Sequence, residues 1–159
     1  MELRIVGFVV IVVLYVVLGV LAAIGSITLT RRFSPKAERI FYGLLLWMIA
    51  ALYLAFAAYF GADTAWRAET IAVLVFVVLG LVGLRLPYAL VAGYVFHGIW
   101  DLIHELHAHG VYAAGEAGQL TAIPLAYGVF CVTFDLFIAG YIYKRRSPLA
   151  FAPGLAKAM

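Results

Sequence analysis

Residues 5–28 read IVGFVVIVVLYVVLGVLAAIGSIT, a run that contains no charged side chain. A helix needs roughly 20 apolar residues to cross the hydrocarbon of a bilayer. A cleaved signal peptide has a shorter apolar core of about 7–15 residues, so we interpret this run as a membrane helix and not as a leader. The stretch therefore predicts an integral membrane protein.

The composition of the whole chain supports the same class. Its 159 residues are 67% hydrophobic and 12% charged, with a mean hydropathy of +1.09. Lipid leaves only helices and closed barrels as membrane-spanning backbones, and the apolar runs have helix length without the alternation of barrel strands. We expect one all-α membrane domain over residues 1–159, a bundle of five transmembrane helices at about 5–28, 40–60, 70–86, 87–106 and 119–143.

The basic residues predict the orientation of this bundle. With the N-terminus outside, only Arg4 and Arg67 of the eleven Lys and Arg residues lie outside, and the C-terminus lies inside. The net charge of +3 then comes from residues that flank the spans, and it requires no nucleic-acid partner. We expect a multi-pass protein of the cell membrane with the lipid bilayer as its partner, and the sequence leaves the oligomeric state open. The inside residues are Arg31, Arg32, Lys36, Arg39, Arg85, Lys144, Arg145, Arg146 and Lys157.

Residues 96–110, FHGIWDLIHELHAHG, hold all four histidines of the chain and two of its eight acidic residues. At 100° per residue, His97, Asp101 and His104 share a wedge of about 60° on one helix face, with Trp100 beside it. Glu105 lies further round the same helix. This polar stripe is expected to run from mid-membrane to the outer surface.

The last predicted helix carries a second polar pair, Cys131 and Asp135, spaced i, i+4 in FCVTFD. At about 1.5 Å per residue, the two pairs reach the same depth of the membrane. We therefore expect His97 to meet Asp135 and Asp101 to meet Cys131. Tyr53 falls near this depth as well, but we expect it to be a core tyrosine with a satisfied hydroxyl.

The segment from His97 to Ala139 resembles a bacterial family of small integral membrane proteins known only as a domain of unknown function. The resemblance rests on HGIWDLIH, of the form H-x-x-W-D-x-x-H, and on FCVTFD, of the form F-x-x-x-F-D, with Pro124 between them. It is close over the final third of the chain and extends to the rest only as hydrophobic helices. It supports the choice of residues and implies no chemistry. The matching positions are His97, Trp100, Asp101, His104, Cys131, Phe134 and Asp135.

An ionised Asp at mid-bilayer costs about 2.5–3.5 kcal/mol even on insertion scales, so Asp101 and Asp135 each need a partner or a proton. The hypothesis we favour is a metal-dependent enzyme, a hydrolase or isomerase that acts on a lipid-like substrate. Asp101, Asp135 or Glu105 would serve as acid or base, and Trp100 would shape the pocket. Zinc or iron would be held by three of the five candidate ligands, which are His97, Asp101, His104, Cys131 and Asp135.

Two alternatives stay open at this point. Stacked acids and histidines are also typical of a proton or metal-ion pathway, with His107, His109 and Glu116 at its mouth. The same residues can instead do no chemistry and only fasten two helices, although interhelical hydrogen bonds in membranes average about 0.6 kcal/mol. A retinal Schiff base is disfavoured, because no lysine lies within a predicted helix.

Overall fold

The computed structural model describes residues 2–60, 63–109 and 120–145, with side chains from residue 6 onward. Over these ranges the chain forms five α-helices and no strand. The helices are α1 Glu2–Thr30, α2 Pro35–Tyr59, α3 Trp66–Gly83, α4 Pro87–His109 and α5 Tyr127–Arg145. The predicted all-α fold is confirmed. Glu116, Arg146, Lys157 and the side chain of Arg4 lie outside the described residues.

Three of the described helices are long and apolar enough to cross a membrane, namely Val6–Thr30, Pro35–Tyr59 and Trp66–Gly83. Their outward faces are apolar, since Leu14, Leu44 and Leu74 are each more than half exposed. So many exposed leucines and valines are rare on a protein surrounded by water and ordinary on one surrounded by lipid. The apolar helices are therefore those of a membrane protein.

Local sequence sets where the second and fourth helices begin. Ser34 caps α2 by accepting a hydrogen bond from the Ala37 N–H at 3.3 Å, and Pro35 occupies the first turn. This cap places the start of α2 before the predicted start at 40. The break predicted between the third and fourth helices is confirmed, since α3 ends at Gly83 and α4 begins at Pro87.

The start of α5 differs from the prediction. The helix begins at Tyr127 and not near 119, because the entry segment, residues 120–126, is not helical. Pro124 disfavours helical backbone at the residue before it and lacks an N–H group. Ala126 has a φ of 59°, in the left-handed region that a right-handed helix excludes. The chain therefore approaches α5 through an irregular segment at the end of α4.

The bundle is centred on α4, which packs against α5 and α3 and more lightly against α2, while α1 packs on α5. Small residues allow these close approaches. A Cβ atom at Gly128 would collide with the carbonyl oxygen of Asp101, and one at Gly98 would lie 3.3 Å from the Cα atom of Val132. A Cβ atom at Gly19 would lie 2.7 Å from a backbone oxygen of α5. Glycines thus bring α5 against both of its neighbours.

Candidate functional site

Three of the predicted site residues meet where α4 and α5 cross. The Nδ1 atom of His97 lies 2.8 Å from Oδ2 of Asp135 and 2.9 Å from Oδ2 of Asp101. All three side chains are fully buried. The i, i+4 spacing puts His97 and Asp101 on one face of α4, and Gly98 leaves room for α5 to bring Asp135 against them. His97 therefore meets Asp135 as expected, and we call these three residues the His97 cluster.

Hydrogen bonding within the His97 cluster uses only part of its capacity. Nδ1 of His97 carries at most one proton and can donate it to only one carboxylate, and its hydrogen bond is to Asp135. Among the described residues, Oδ2 of Asp101, Oδ1 of Asp135 and Nε2 of His97 have no hydrogen-bond partner. Buried polar atoms nearly always have one. The cluster thus retains buried polar atoms whose hydrogen-bonding capacity is unused.

Two carboxyl groups face a single imidazole in the cluster. With both carboxyl groups ionised and the imidazole protonated, the three groups sum to a net charge of −1. A neutral imidazole with two carboxylates sums to −2, which one divalent cation would cancel. Because net charge in a membrane interior is expensive, a bound cation or a shared proton would stabilise this arrangement.

Tyr53 of α2 contacts the His97 cluster from a third helix. Its hydroxyl donates a hydrogen bond to Oδ1 of Asp101, and the expected contact of Asp101 with Cys131 stays a prediction. Its ring lies between two of the histidines of α4, with its centroid 6.1 Å from the ring of His97 and 4.4 Å from that of His104. The hydroxyl is satisfied, as expected of a core tyrosine, but its partner is a site residue. Depth along the helix was the signal that connected Tyr53 with the site.

Five candidate ligands were predicted, and the structure groups three of them. Among the described residues, the ligand atoms of His97, Asp101 and Asp135 all lie within 4.8 Å of one another. This group includes neither His104 nor Cys131. Cys131 is a buried free thiol one helical turn before Asp135.

His104 pairs with Glu69, a fully buried residue of α3 that sequence reasoning missed. Its Nε2 atom lies 2.9 Å from Oε1 of Glu69, and its Nδ1 atom lies 3.0 Å from the carbonyl oxygen of Trp100. Oε1 of Glu69 also accepts the N–H of Thr121 at 3.0 Å. The sequence contained one signal that could have identified Glu69: it is an acidic residue directly before a predicted helix, at the end of the bundle where the histidines lie. The predicted start of that helix at 70 left it out, whereas α3 begins at Trp66 and holds Glu69 in its first turn.

Glu105, a predicted acid or base, accepts hydrogen bonds from the backbone at the start of α5. Its two oxygens accept the N–H groups of Ala126 and Gly128, each at 2.9 Å. A carboxylate at a helix N-terminus satisfies donors that the helix leaves open and interacts favourably with the helix dipole. His109 assists nearby, with Nε2 3.0 Å from the carbonyl oxygen of Ile123. Glu105 thus anchors the entry segment to α4.

Trp100, the predicted pocket residue, lies beside His104 with ring centroids 5.0 Å apart. Its side chain is only partly buried, but its Nε1 atom is enclosed and has no hydrogen-bond partner among the described residues. Trp100 therefore packs against His104.

Comparison with known proteins gives a family without an assigned activity. No curated protein and no solved structure matches the chain. One family profile matches residues 14–148, a range that takes in most of α1 and the whole of α2 to α5. This range is longer than the final third over which the sequence resemblance was close. The chain belongs to the family of unknown function DUF6010.

Proposed function

We propose that the His97 cluster binds one divalent transition-metal ion, zinc or iron(II), and that the protein is a membrane enzyme, a hydrolase or isomerase of a lipid-like substrate. The observation that carries this proposal is the convergence of one imidazole nitrogen and two carboxylates at 2.8 and 2.9 Å in a fully buried position. Helix packing alone needs one such contact and gives no reason for the second carboxylate.

The donor set and its spacing support these metals. Imidazole and carboxylate groups both bind zinc and iron. With bonds of about 2.1 Å, neighbouring ligand atoms lie about 3.0 Å apart in octahedral geometry and about 3.4 Å apart in tetrahedral geometry. The observed separations from Nδ1 of His97 are shorter by a few tenths of an ångström, so small outward shifts of the carboxylates accommodate the ion. Three protein ligands leave positions for water and substrate, as catalytic metal sites do.

Tyr53 supports the proposal from outside the ligand set. Its hydroxyl holds Oδ1 of Asp101, which leaves Oδ2 directed at His97. Hydrogen bonds of this kind orient metal ligands and tune their affinity.

The surroundings of the cluster favour a lipid-like substrate. The three ligands are fully buried, and the outer face of α4 beside them is apolar, with Phe96, Ile99 and Leu102 between 40% and 56% exposed. A molecule approaching from this side comes from the hydrocarbon layer. Substrates with long apolar chains meet that requirement.

We further propose that all five helices cross the membrane, with the N-terminus outside and the C-terminus inside. The basic end of the bundle, where α1, α3 and α5 end and α2 and α4 begin, would then face the cytoplasm. Its described basic residues are Arg31, Arg32, Lys36, Arg39, Arg85, Lys144 and Arg145.

The direct test is the metal content of the detergent-purified protein by elemental mass spectrometry. We expect close to one ion per chain in the wild type and loss of that ion in His97→Gln, Asp101→Asn and Asp135→Asn. Glu69→Gln is the matched control, because it also neutralises a buried carboxylate that faces a histidine but lies outside the ligand group. Thermal unfolding shows that each variant is folded.

Two results would overturn the metal centre: a well-folded wild type without metal, or a metal content that His97→Gln leaves unchanged. Either result would favour proton transfer or helix packing. The enzyme is tested next by incubating metal-loaded protein with total membrane lipids and analysing them by mass spectrometry. We expect the metal-loaded wild type to form a lipid product that Asp135→Asn does not form. If the metal-loaded wild type leaves the lipids unchanged, the enzymatic function is contradicted and metal-ion transport is favoured.

A further inference from the structure

A groove opens between α1 and α5 at the basic end of the bundle. Its volume is about 480 Å³, within the range of about 300–1,000 Å³ typical of small-molecule sites. Ile27, Leu136 and Phe137 form its apolar wall, and the last two are 51% and 46% exposed. A Cβ atom at Gly140 would meet nothing within 4 Å. The groove is therefore open at Gly140.

Two cations, Arg31 and Lys144, line the same groove. The guanidinium carbon of Arg31 lies 5.9 Å from the centroid of the Tyr141 ring, which holds the side chain beside the groove. In the part of the chain that the structure describes, no salt bridge joins Arg31 or Lys144 to a carboxylate. Both positive charges thus remain available to a ligand.

Glu38, an acidic residue at the basic end of the bundle, is already bound to Arg145 and Tyr141. Oε2 of Glu38 lies 3.0 Å from Nε of Arg145, and Oε1 accepts the hydroxyl of Tyr141 at 2.5 Å. Within the described ranges, Glu38 is the one acidic residue at the basic end. Arg145 is therefore neutralised by the protein, whereas the cations of the groove are not.

We propose that this groove binds one anionic phospholipid, with an acyl chain along the apolar wall and the phosphate between Arg31 and Lys144. An apolar slot that ends in two cations at the edge of the bilayer matches such a lipid in both polarity and charge. Guanidinium and ammonium groups bind phosphate oxygens through charge-assisted hydrogen bonds. This binding is independent of the metal centre proposed above.

The test is native mass spectrometry of the full-length protein titrated with phosphatidylglycerol and, separately, with phosphatidylcholine. We expect phosphatidylglycerol to bind more tightly, because phosphatidylcholine carries no net charge. Removing both cations in Arg31→Gln/Lys144→Gln should weaken phosphatidylglycerol binding about 30-fold, given the usual contribution of a basic residue at an anionic lipid surface. Gly140→Leu should fill the groove and abolish the binding of either lipid there.

Two matched controls separate the groove from general effects. Lys36→Gln/Arg85→Gln removes the same charge from the basic end but outside the groove. Gly25→Leu adds the same side-chain volume at a glycine of α1 that also has open space around it. Both should bind phosphatidylglycerol as the wild type does. Equal affinity for the two lipids, an equal loss in the charge control, or no effect of Gly140→Leu would each overturn the proposal. The charge and steric variants act independently, so if one fails to fold, the other decides.

Discussion

His97 and Asp135 lie 38 positions apart in the chain, yet Nδ1 of one lies 2.8 Å from Oδ2 of the other. This contact joins a fully buried imidazole of α4 to a fully buried carboxyl group of α5. Sliding either helix by one turn would separate the buried carboxyl group of Asp135 from the imidazole, and leaving a buried carboxyl group unpaired is far more costly than losing an exposed pair. The contact therefore sets the register of the two helices, whatever chemistry the cluster performs.

Tyr53→Phe removes the hydrogen-bond donor of Asp101 and leaves the ring in place. We expect the free energy of unfolding to fall by about 1–2 kcal/mol, because a buried carboxylate oxygen loses its partner. If the cluster binds metal, its affinity should fall by about 10- to 100-fold in chelator competition. Tyr94→Phe is the control, since that hydroxyl donates to the carbonyl oxygen of Tyr42 at 2.8 Å. Equal metal affinity in Tyr53→Phe and wild type would refute the supporting role of Tyr53.

Glu69→Ala removes one acceptor that serves both His104 and the Thr121 N–H group. The Thr121 N–H group and the buried Nε2 atom of His104 both lose their partner, so we expect a loss of about 2–3 kcal/mol in the free energy of unfolding. Hydrogen exchange should become faster in a peptide covering the entry segment. Glu69→Gln keeps an acceptor and should lie between the wild type and Glu69→Ala. Unchanged exchange at Thr121 in Glu69→Ala would show that the entry segment is held by other contacts.

Glu105→Gln separates an anchoring role from the predicted acid–base role. The amide has only one oxygen, so either Ala126 or Gly128 loses its acceptor, and the charge at the start of α5 disappears. We expect the free energy of unfolding to fall by about 0.5–2 kcal/mol while the metal content stays at the wild-type value. If stability is unchanged and an enzymatic activity is lost, the predicted role in proton transfer is the correct one.

Ala126→Gly relieves the backbone at the start of α5. At a φ of 59° an L-residue with a Cβ atom is disfavoured by about 1–2 kcal/mol, and glycine is not. Glycine also has more conformational entropy in the unfolded chain, which offsets part of this gain. We therefore expect a net increase of about 0.5–1 kcal/mol in the free energy of unfolding. Ala122→Gly, in the same segment without a positive φ, should lower stability instead. An equal loss in both variants would contradict this account of Ala126.

The sequence predicted the histidine stripe because its residues share one helix. Positions spaced i, i+4 and i+7 fall on one face of α4 wherever that helix packs, so His97, Asp101 and His104 were identified together. The depth comparison then identified Asp135, since consecutive helices are expected to be neighbours. Both inferences need only helical geometry.

The partners from α2 and α3 were decided by packing. Tyr53 and Glu69 lie 48 and 35 positions from the residues they contact, Asp101 and His104, and no local pattern indicates which helix faces reach them. The start of α5 was decided in the same way, because the acceptors for the N–H groups of its first residues belong to Glu105 on α4.

The sequence by itself determined the membrane class, the helical fold and the face of α4 that carries the polar residues, because hydrophobicity and the period of the helix are local properties. Only the tertiary structure decided that Nδ1 of His97 lies within 2.9 Å of two carboxylates while His104 pairs with Glu69 of α3. The physical reason is that a histidine on a helix face can reach several acids, and the crossing of the neighbouring helices selects which one lies within hydrogen-bonding distance.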